Sequence, residues 1–317
     1  MSSFIINIDF RNYNFHADLV SDLSSGFNAV SGDTLHFNIN LNTNYKLLYS
    51  DMLLLLTAFV KHLRAIGVRV TGKFIDFDSK SDFVNYASRV NFFKEIGYNH
   101  IERFVRRSSI GKFLEISNYT NEQQYLEKHK HVITILKQYS SIKNNKGLLI
   151  LLNYCLSEIM DNALLHSNSP TKGWVVCQYF PRLNEIRFMV CDTGIGIHKS
   201  LTETPNTQYG HYTKEESLLN CVNELITNGK GKGRGLFHTS MFIKENKGEL
   251  IIHSGNQFLK IDESGKELKQ ANNWAGTFIF LKINTLIEMD PNKVVDEAYN
   301  IENNYKVYFN EEVDDLW

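Results

Sequence analysis

Apolar and polar positions alternate along Leu35–Leu41 (LHFNINL) with a period of two, the pattern of a half-buried strand. Tyr45–Ile66 follows as a long apolar-rich stretch without Gly or Pro, predicting a helix that Gly67 stops. Val68–Phe77 returns to strand character, and Ser81–Ile96 reads as a second helix ending at Gly97. Strand, helix, strand, helix predicts a small α/β module with helices covering a sheet. Between Arg106 and Thr120 the pattern weakens, and a boundary at 115 divides an N-terminal regulatory module, 1–115, from the rest.

Asn121–Ser140 reads as a charged helix and Leu148–His166 as an apolar-rich one. Two strands follow, Gly173–Phe180 and Glu185–Asp192, joined by a Pro-Arg-Leu-Asn connection suited to a hairpin. Thr193–Arg234 has many Gly, Asn and Thr residues and little periodicity, so it reads as a long irregular loop. Its few apolar anchors suggest a segment ordered by a ligand, with Gln208–Asn228 mobile otherwise. Gly235–Asn246 predicts a helix, and Glu249–His253, Phe258–Asp262 and Thr277–Ile283 predict strands.

Composition narrows the class. The 317 residues, 43% hydrophobic and 22% charged, can bury a core and exclude a disordered chain. A net charge of −1 excludes a bulk electrostatic binder of nucleic acid or anionic membrane, leaving a local basic patch open. Thr285–Trp317 carries nine acids against two bases, a net −7 that leaves +6 on the remaining chain. This tail, 285–317, reads as a solvated surface segment. Four scattered cysteines show no metal-ligand spacing and predict buried reduced thiols. The start, Met-Ser-Ser-Phe-Ile-Ile-Asn-Ile-Asp, lacks the basic region of a signal peptide, and the longest apolar run, Leu53–Val60, falls short of a membrane span. The expectation is a cytoplasmic protein with no membrane partner.

Three motifs carry chemistry. Glu158, Asn162 and His166 stand at i, i+4 and i+8 of one helix and share a face; alone, such a stripe is commonly a solvated face. Asp192-Thr193-Gly194-Ile195-Gly196-Ile197 follows an apolar strand and sets a carboxylate beside backbone that a flat ligand can approach, although Asp-Gly turns are common. Gly229-Lys230-Gly231-Lys232-Gly233-Arg234-Gly235-Leu236 precedes a helix. Its exposed N–H groups and basic side chains suit anionic oxygens, and the following helix favours a phosphate site over a flexible nucleic-acid loop.

In this order the three motifs resemble the GHKL, or Bergerat-fold, ATPases: histidine kinases, anti-sigma-factor kinases, gyrase B subunits, mismatch-repair ATPases and a chaperone ATPase. Lys247-Gly248-Glu249-Leu250, Ser254 and Gly276-Thr277 resemble the family's closing segment, so the likeness spans about residues 145–283. The resemblance implies a two-layer α/β sandwich with a mixed sheet covered by helices, bounded at 116–284. It implies ATP and Mg²⁺, with Asn162 as the metal ligand and Glu158 as general base. Asp192 would accept from the adenine amine, with Gly194, Gly196 and Ile197 lining the base and Thr277 supporting Asp192 through its hydroxyl. Gly231, Gly233, Gly235 and Leu236 would close over the phosphates, with Lys232 or Arg234 neutralising charge. His166 would be structural. Asn162-Ala163-x-x-His166 is nearest in style to the anti-sigma-factor kinases. His129 and His131 lack the flanking box of a phosphoacceptor histidine, and the 34 residues after Ile283 are too few for a transducer domain. The expectation is therefore a stand-alone ATPase or Ser/Thr-type protein kinase whose lid closure controls a partner protein, with an N-terminal module whose strand–helix alternation resembles STAS-type regulatory domains. The alternatives are a nucleotide-gated interaction module without turnover and a sensor-type kinase; a homodimer stays open.

Overall fold

The computed structural model describes residues 2–44, 48–106, 109, 112–229 and 233–295. The chain opens with β1 (Ser3–Asp9), α1 (His16–Leu23), β2 (Thr34–Asn40), α2 (Ser50–Ala65), β3 (Arg69–Phe74), α3 (Asp82–Arg89) and α4 (Phe92–Ile96). It continues with β4 (Phe113–Tyr119), α5 (Glu122–Lys137), α6 (Ser140–Lys143), α7 (Lys146–Leu165), β5 (Gly173–Phe180) and β6 (Glu185–Cys191). It then forms α8 (Gly196–Thr202), α9 (Lys214–Asn220), α10 (Gly235–Asn246), β7 (Glu249–Asp262) and β8 (Gly265–Asn284).

Two sheets result. The first is parallel, in the order β1-β2-β3; the second is antiparallel, in the order β4-β5-β6-β8-β7. The larger sheet buries both faces. On β6, Ile186, Phe188 and Val190 join the core beneath α5, α7 and α10, whereas Met189 and Cys191 join the core of the N-terminal module. β8 alternates likewise, with Ile279, Leu281 and Ile283 on one side and Phe278 and Phe280 on the other. Helix α2 fills the space between the sheets, which explains why Ser50 through Val60 are all buried. The result is the mixed α/β architecture of the Bergerat ATPase fold, with an α/β module on the back of its sheet.

Several elements differ from the sequence reading. The helix expected from Tyr45 begins at Ser50, because Tyr49 is extended; residues 45–47 lie outside the described ones. The helix expected over Ser81–Ile96 breaks into α3 and α4 at Asn91, whose φ of 67° is left-handed. The weakly patterned stretch before Thr120 holds β4, which pairs with β5. Thr193–Arg234 is not structureless: it contains α8 and α9, the latter started by a capping box between Thr213 and Glu216. Leu218, Cys221 and Val222 anchor that region in the same core as Leu259 and Ile261 of the extended β7–β8 hairpin. The acidic segment starts packed rather than solvated, with Met289, Val294 and Val295 buried and Asn145 Nδ2 donating to the Ile287 carbonyl at 2.7 Å. Residues from 296 onward lie outside the described ones.

All four cysteines are free and buried. Burial pushes the Cys155, Cys177 and Cys221 thiols up to about 12, which makes them inert apolar filler. By length and hydropathy α7 could cross a membrane, but here it is the central core helix, with Leu151, Leu152, Cys155 and Leu156 wholly buried.

Candidate functional site

Helix α7 is amphipathic in an unusual sense. One side feeds the core, and the other presents Glu158, Asp161, Asn162 and His166 to a cleft. The cleft encloses about 1060 Å³, counted out to open solvent, between α7, the sheet and the start of α10. Its floor is Val190 and Asp192 of the β6 end with Thr277 and Ile279 of β8; Gly196, Ile197, Ser200 and Leu201 form one wall. Ile226, Thr227, Asn228 and Gly233, with Gly235 and Leu236, complete the rim.

Asp192 is the chemical centre of the floor. Its backbone N–H donates to the Thr277 carbonyl at 2.9 Å, and Trp274 Nε1–H donates to its carbonyl at 2.9 Å. Its side-chain Oδ1 accepts from the Gly194 N–H at 2.8 Å. Burial raises its carboxyl to about 7, despite the backbone hydrogen bonds that favour the ionised form. A buried acceptor at the bottom of a cleft is suited to reading an amine edge, since a group offering no donor leaves it unpaired.

The loop after Asp192 is tightly braced. A Cβ on Gly194 would run into the Ser167 carbonyl, so only glycine lets this backbone pass. Ile195 N–H donates to that same carbonyl at 2.8 Å, and Ile197 N–H donates to Ser254 Oγ at 2.9 Å. Ser254 Oγ donates in turn to the Gly276 carbonyl at 3.0 Å, tying the loop to the β7–β8 hairpin. Thr277 meets Asp192 through its backbone; its hydroxyl donates to Ser254 Oγ at 3.4 Å.

At the other end, α10 begins against α7. Gly235 packs on the Glu158 side chain so closely that a Cβ would collide with the carboxylate. The first N–H groups of α10 thus open beside Glu158 and Asn162, with the positive end of the helix toward the cleft. Asn228 Nδ2 donates to His166 Nδ1 at 3.1 Å and to Ser200 Oγ at 2.9 Å, linking the rim to α7 and α8.

One cleft therefore gathers Glu158, Asn162, Asp192, Gly196, Ile197, Gly233, Gly235, Leu236 and Thr277, with Gly194 behind Asp192. Arg234 turns to Glu224, at 3.4 Å, rather than lining the cleft. Gly231 and Lys232 lie outside the described residues. His129 is buried, with Nε2 3.0 Å from the Asn153 carbonyl, and burial lowers it to about 4. It is a core group. Sequence reasoning missed Asp161, Ser167, Ser200, Leu201, Cys221, Ile226 and Asn228, most of which come from the stretch read as irregular. The Thr213–Glu216 capping box was the one local signal of order there.

A search among curated proteins finds no match. The family model described as histidine kinase-, DNA gyrase B- and HSP90-like ATPase matches residues 147–278, from the first turn of α7 to the middle of β8. That span contains every cleft residue named above except Ile279. Over residues 147–278 the chain is thus similar to the GHKL-type ATPases, a family that binds ATP.

Proposed function

We propose that the protein binds ATP with Mg²⁺ in this cleft, slowly hydrolyses it or transfers its terminal phosphoryl group, and uses closure of the Thr193–Arg234 lid to control a partner protein. The observation that supports this reading best is the polarity of the cleft. A buried acceptor, Asp192, stands at one end, and Glu158, Asn162 and the start of α10 stand at the other. Adenine is thereby directed to the sheet end and the triphosphate to the helix end.

The chemistry of the donors suits a hard cation. Among the described residues no three His, Cys, Asp or Glu side chains converge as a metal cage. The Asn162 amide oxygen would instead be the protein ligand to an ion held mainly by phosphates and water. Such an ion, when bound, would neutralise triphosphate charge. Glu158 takes the proton of the attacking water, or of a partner's Ser or Thr hydroxyl, as the γ-phosphorus to oxygen bond forms and ADP leaves. The α10 N–H groups receive the phosphate oxygens without moving, because the helix already holds them in place.

A second reading, a nucleotide-gated interaction module with incidental turnover, draws on the Arg234–Glu224 pair, which engages a cation that catalysis would want at the phosphates. The experiment that separates the two is phosphate release, together with phosphate transfer to co-purified protein, from the wild type and Glu158→Ala. Turnover lost in the variant with ATP binding retained supports the enzyme. No turnover from either protein favours the gated module.

A further inference from the structure

Helix α2 belongs to the N-terminal module, yet its last turn reaches the residue next to the floor of the nucleotide cleft. His62 Nδ1 lies 3.0 Å from Thr193 Oγ1, and Thr193 directly follows Asp192. Thr193 is only 2% exposed. Its hydroxyl also meets Ser169 Oγ at 3.3 Å, and its N–H donates to that oxygen at 3.4 Å. On the same peptide, Trp274 holds the Asp192 carbonyl. Phe27, another N-terminal residue, packs edge-on against both Trp274, at 5.3 Å between ring centres, and His62, at 5.5 Å. Burial lowers the His62 imidazole from its ordinary value, so the neutral ring presents one donor and one acceptor, and either can serve a hydroxyl.

We infer that the N-terminal module braces the nucleotide site from behind its floor and that His62 is a positioning residue for Asp192. The inference rests on the reading of the cleft as an adenine-nucleotide site. Asp192 reads its ligand with one short side chain, so the angle of its carboxylate is set by the two peptides that flank it. The peptide before it is fixed by the Asp192 N–H bond to the Thr277 carbonyl. The peptide after it is fixed by Trp274, which Phe27 supports, and by Ser169, while His62 and Ser169 hold the Thr193 hydroxyl between them. Releasing His62 frees Thr193 on the side facing α2. The acceptor then samples orientations in which it no longer meets an exocyclic amine. The loss falls on adenine nucleotides, because guanine carries a carbonyl oxygen at C6 in place of the adenine amine and gains nothing there from the oriented carboxylate. A structural contact alone would lower stability without changing which base is preferred.

The test is titration of the full chain with ATP and with GTP, alongside thermal unfolding. His62→Phe keeps the ring and removes the hydrogen bond; Thr193→Val removes it from the other side; His62→Asn restores a polar atom near the Nδ1 position. The expected result is a roughly three- to tenfold weaker ATP affinity in His62→Phe and in Thr193→Val, the worth of one buried hydrogen bond. GTP affinity stays unchanged, so the ATP-over-GTP ratio falls. The double variant should be no worse than either single one, because both break the same contact. His62→Asn should recover to within about threefold of the wild type, the low end of that range. If His62→Phe does not fold, Thr193→Val carries the test alone. A wild-type preference for ATP that persists undiminished in folded His62→Phe or Thr193→Val overturns the positioning role while leaving the nucleotide reading intact. A wild-type chain that binds no adenine nucleotide overturns both.

Discussion

Arg187 Nε donates to Asp51 Oδ2 at 2.8 Å across the boundary between the ATPase sheet and the N-terminal module. The guanidinium lies 3.7 Å from the centre of the Tyr49 ring and 4.8 Å from that of Phe280. Both charges are removed from water. Burial is the largest single influence and would raise Asp51, but the charges and hydrogen bonds of Arg187 and His16 together outweigh it and hold the carboxyl well below the usual range. An ion pair in this position makes docking of the two modules specific, because neither charge can be left behind.

The cost of breaking that pair is the first prediction. Asp51→Ala leaves Arg187 with only the more distant Glu185 carboxylate, at 3.8 Å, and should destabilise the chain by about 3–5 kcal/mol. Asp51→Leu with Arg187→Met should recover most of the loss, since an apolar pair suits the surrounding Phe278 and Phe280. Urea unfolding of the single and double variants checks both. The folded-state carboxyl is depressed, so its contribution is present at neutral pH and is lost as pH falls below about 4.

Asp192 behaves in the opposite sense. Its folded-state value is raised to about 7, so its proton is bound more tightly in the fold than in the unfolded chain. The wild type should therefore lose stability relative to Asp192→Asn as pH rises from 4 to 7, and the difference should level off above 7. By linkage the full difference is at most ~4 kcal/mol. Thermal or chemical unfolding of the two proteins across this range is the measurement. A difference that does not change with pH would mean that the carboxyl is not desolvated.

Catalysis and metal binding should separate on α7. Asn162→Ala should lose Mg²⁺-dependent ATP binding, because a metal ligand acts in the ground state. Glu158→Ala should bind ATP and lose turnover by roughly 10²–10⁴-fold, because a general base acts in the transition state. Wild-type turnover from both variants would remove this helix from the chemistry.

The rim supplies the fourth prediction. Residues 213–222 are anchored on the β7–β8 hairpin and should be protected from hydrogen exchange in all states. Residues 223–229, held through Asn228 to His166 and Ser200, should gain protection with a non-hydrolysable ATP analogue and much less with ADP. Equal protection in the apo, ADP and analogue states would show that closure does not sense the γ-phosphate.

How far the sequence carried this picture depends on which elements speak locally. Helix α10 begins at Gly235 and ends at Asn246, the span read from the sequence, because the residues that bound it, Gly235 and Lys247-Gly248, are local signals. β5 and β6 are legible for the same reason. β4 is not: its register shifts between Leu114 and Ser117, so its apolar residues do not alternate cleanly. α9 is a seven-residue helix whose stability comes from Leu218 packing on a distant hairpin, a contact no local window contains. Glu158, Asn162 and Asp192 were found through motifs, whereas His62 and Trp274 act through tertiary contacts across the module boundary. The one available hint was α2 itself, apolar on every side over Met52–Leu56, which announces a helix buried between two layers.

Base discrimination by Asp192 is the claim on which the whole reading turns. The most direct measurement is calorimetric titration of the wild type and Asp192→Asn with ATP and GTP in the presence of Mg²⁺. The account predicts that the wild type prefers ATP by at least about tenfold, the worth of one well-placed buried acceptor, and that the folded variant loses that preference. Equal affinity of the wild type for ATP and GTP, or undiminished ATP binding by Asp192→Asn, would contradict it.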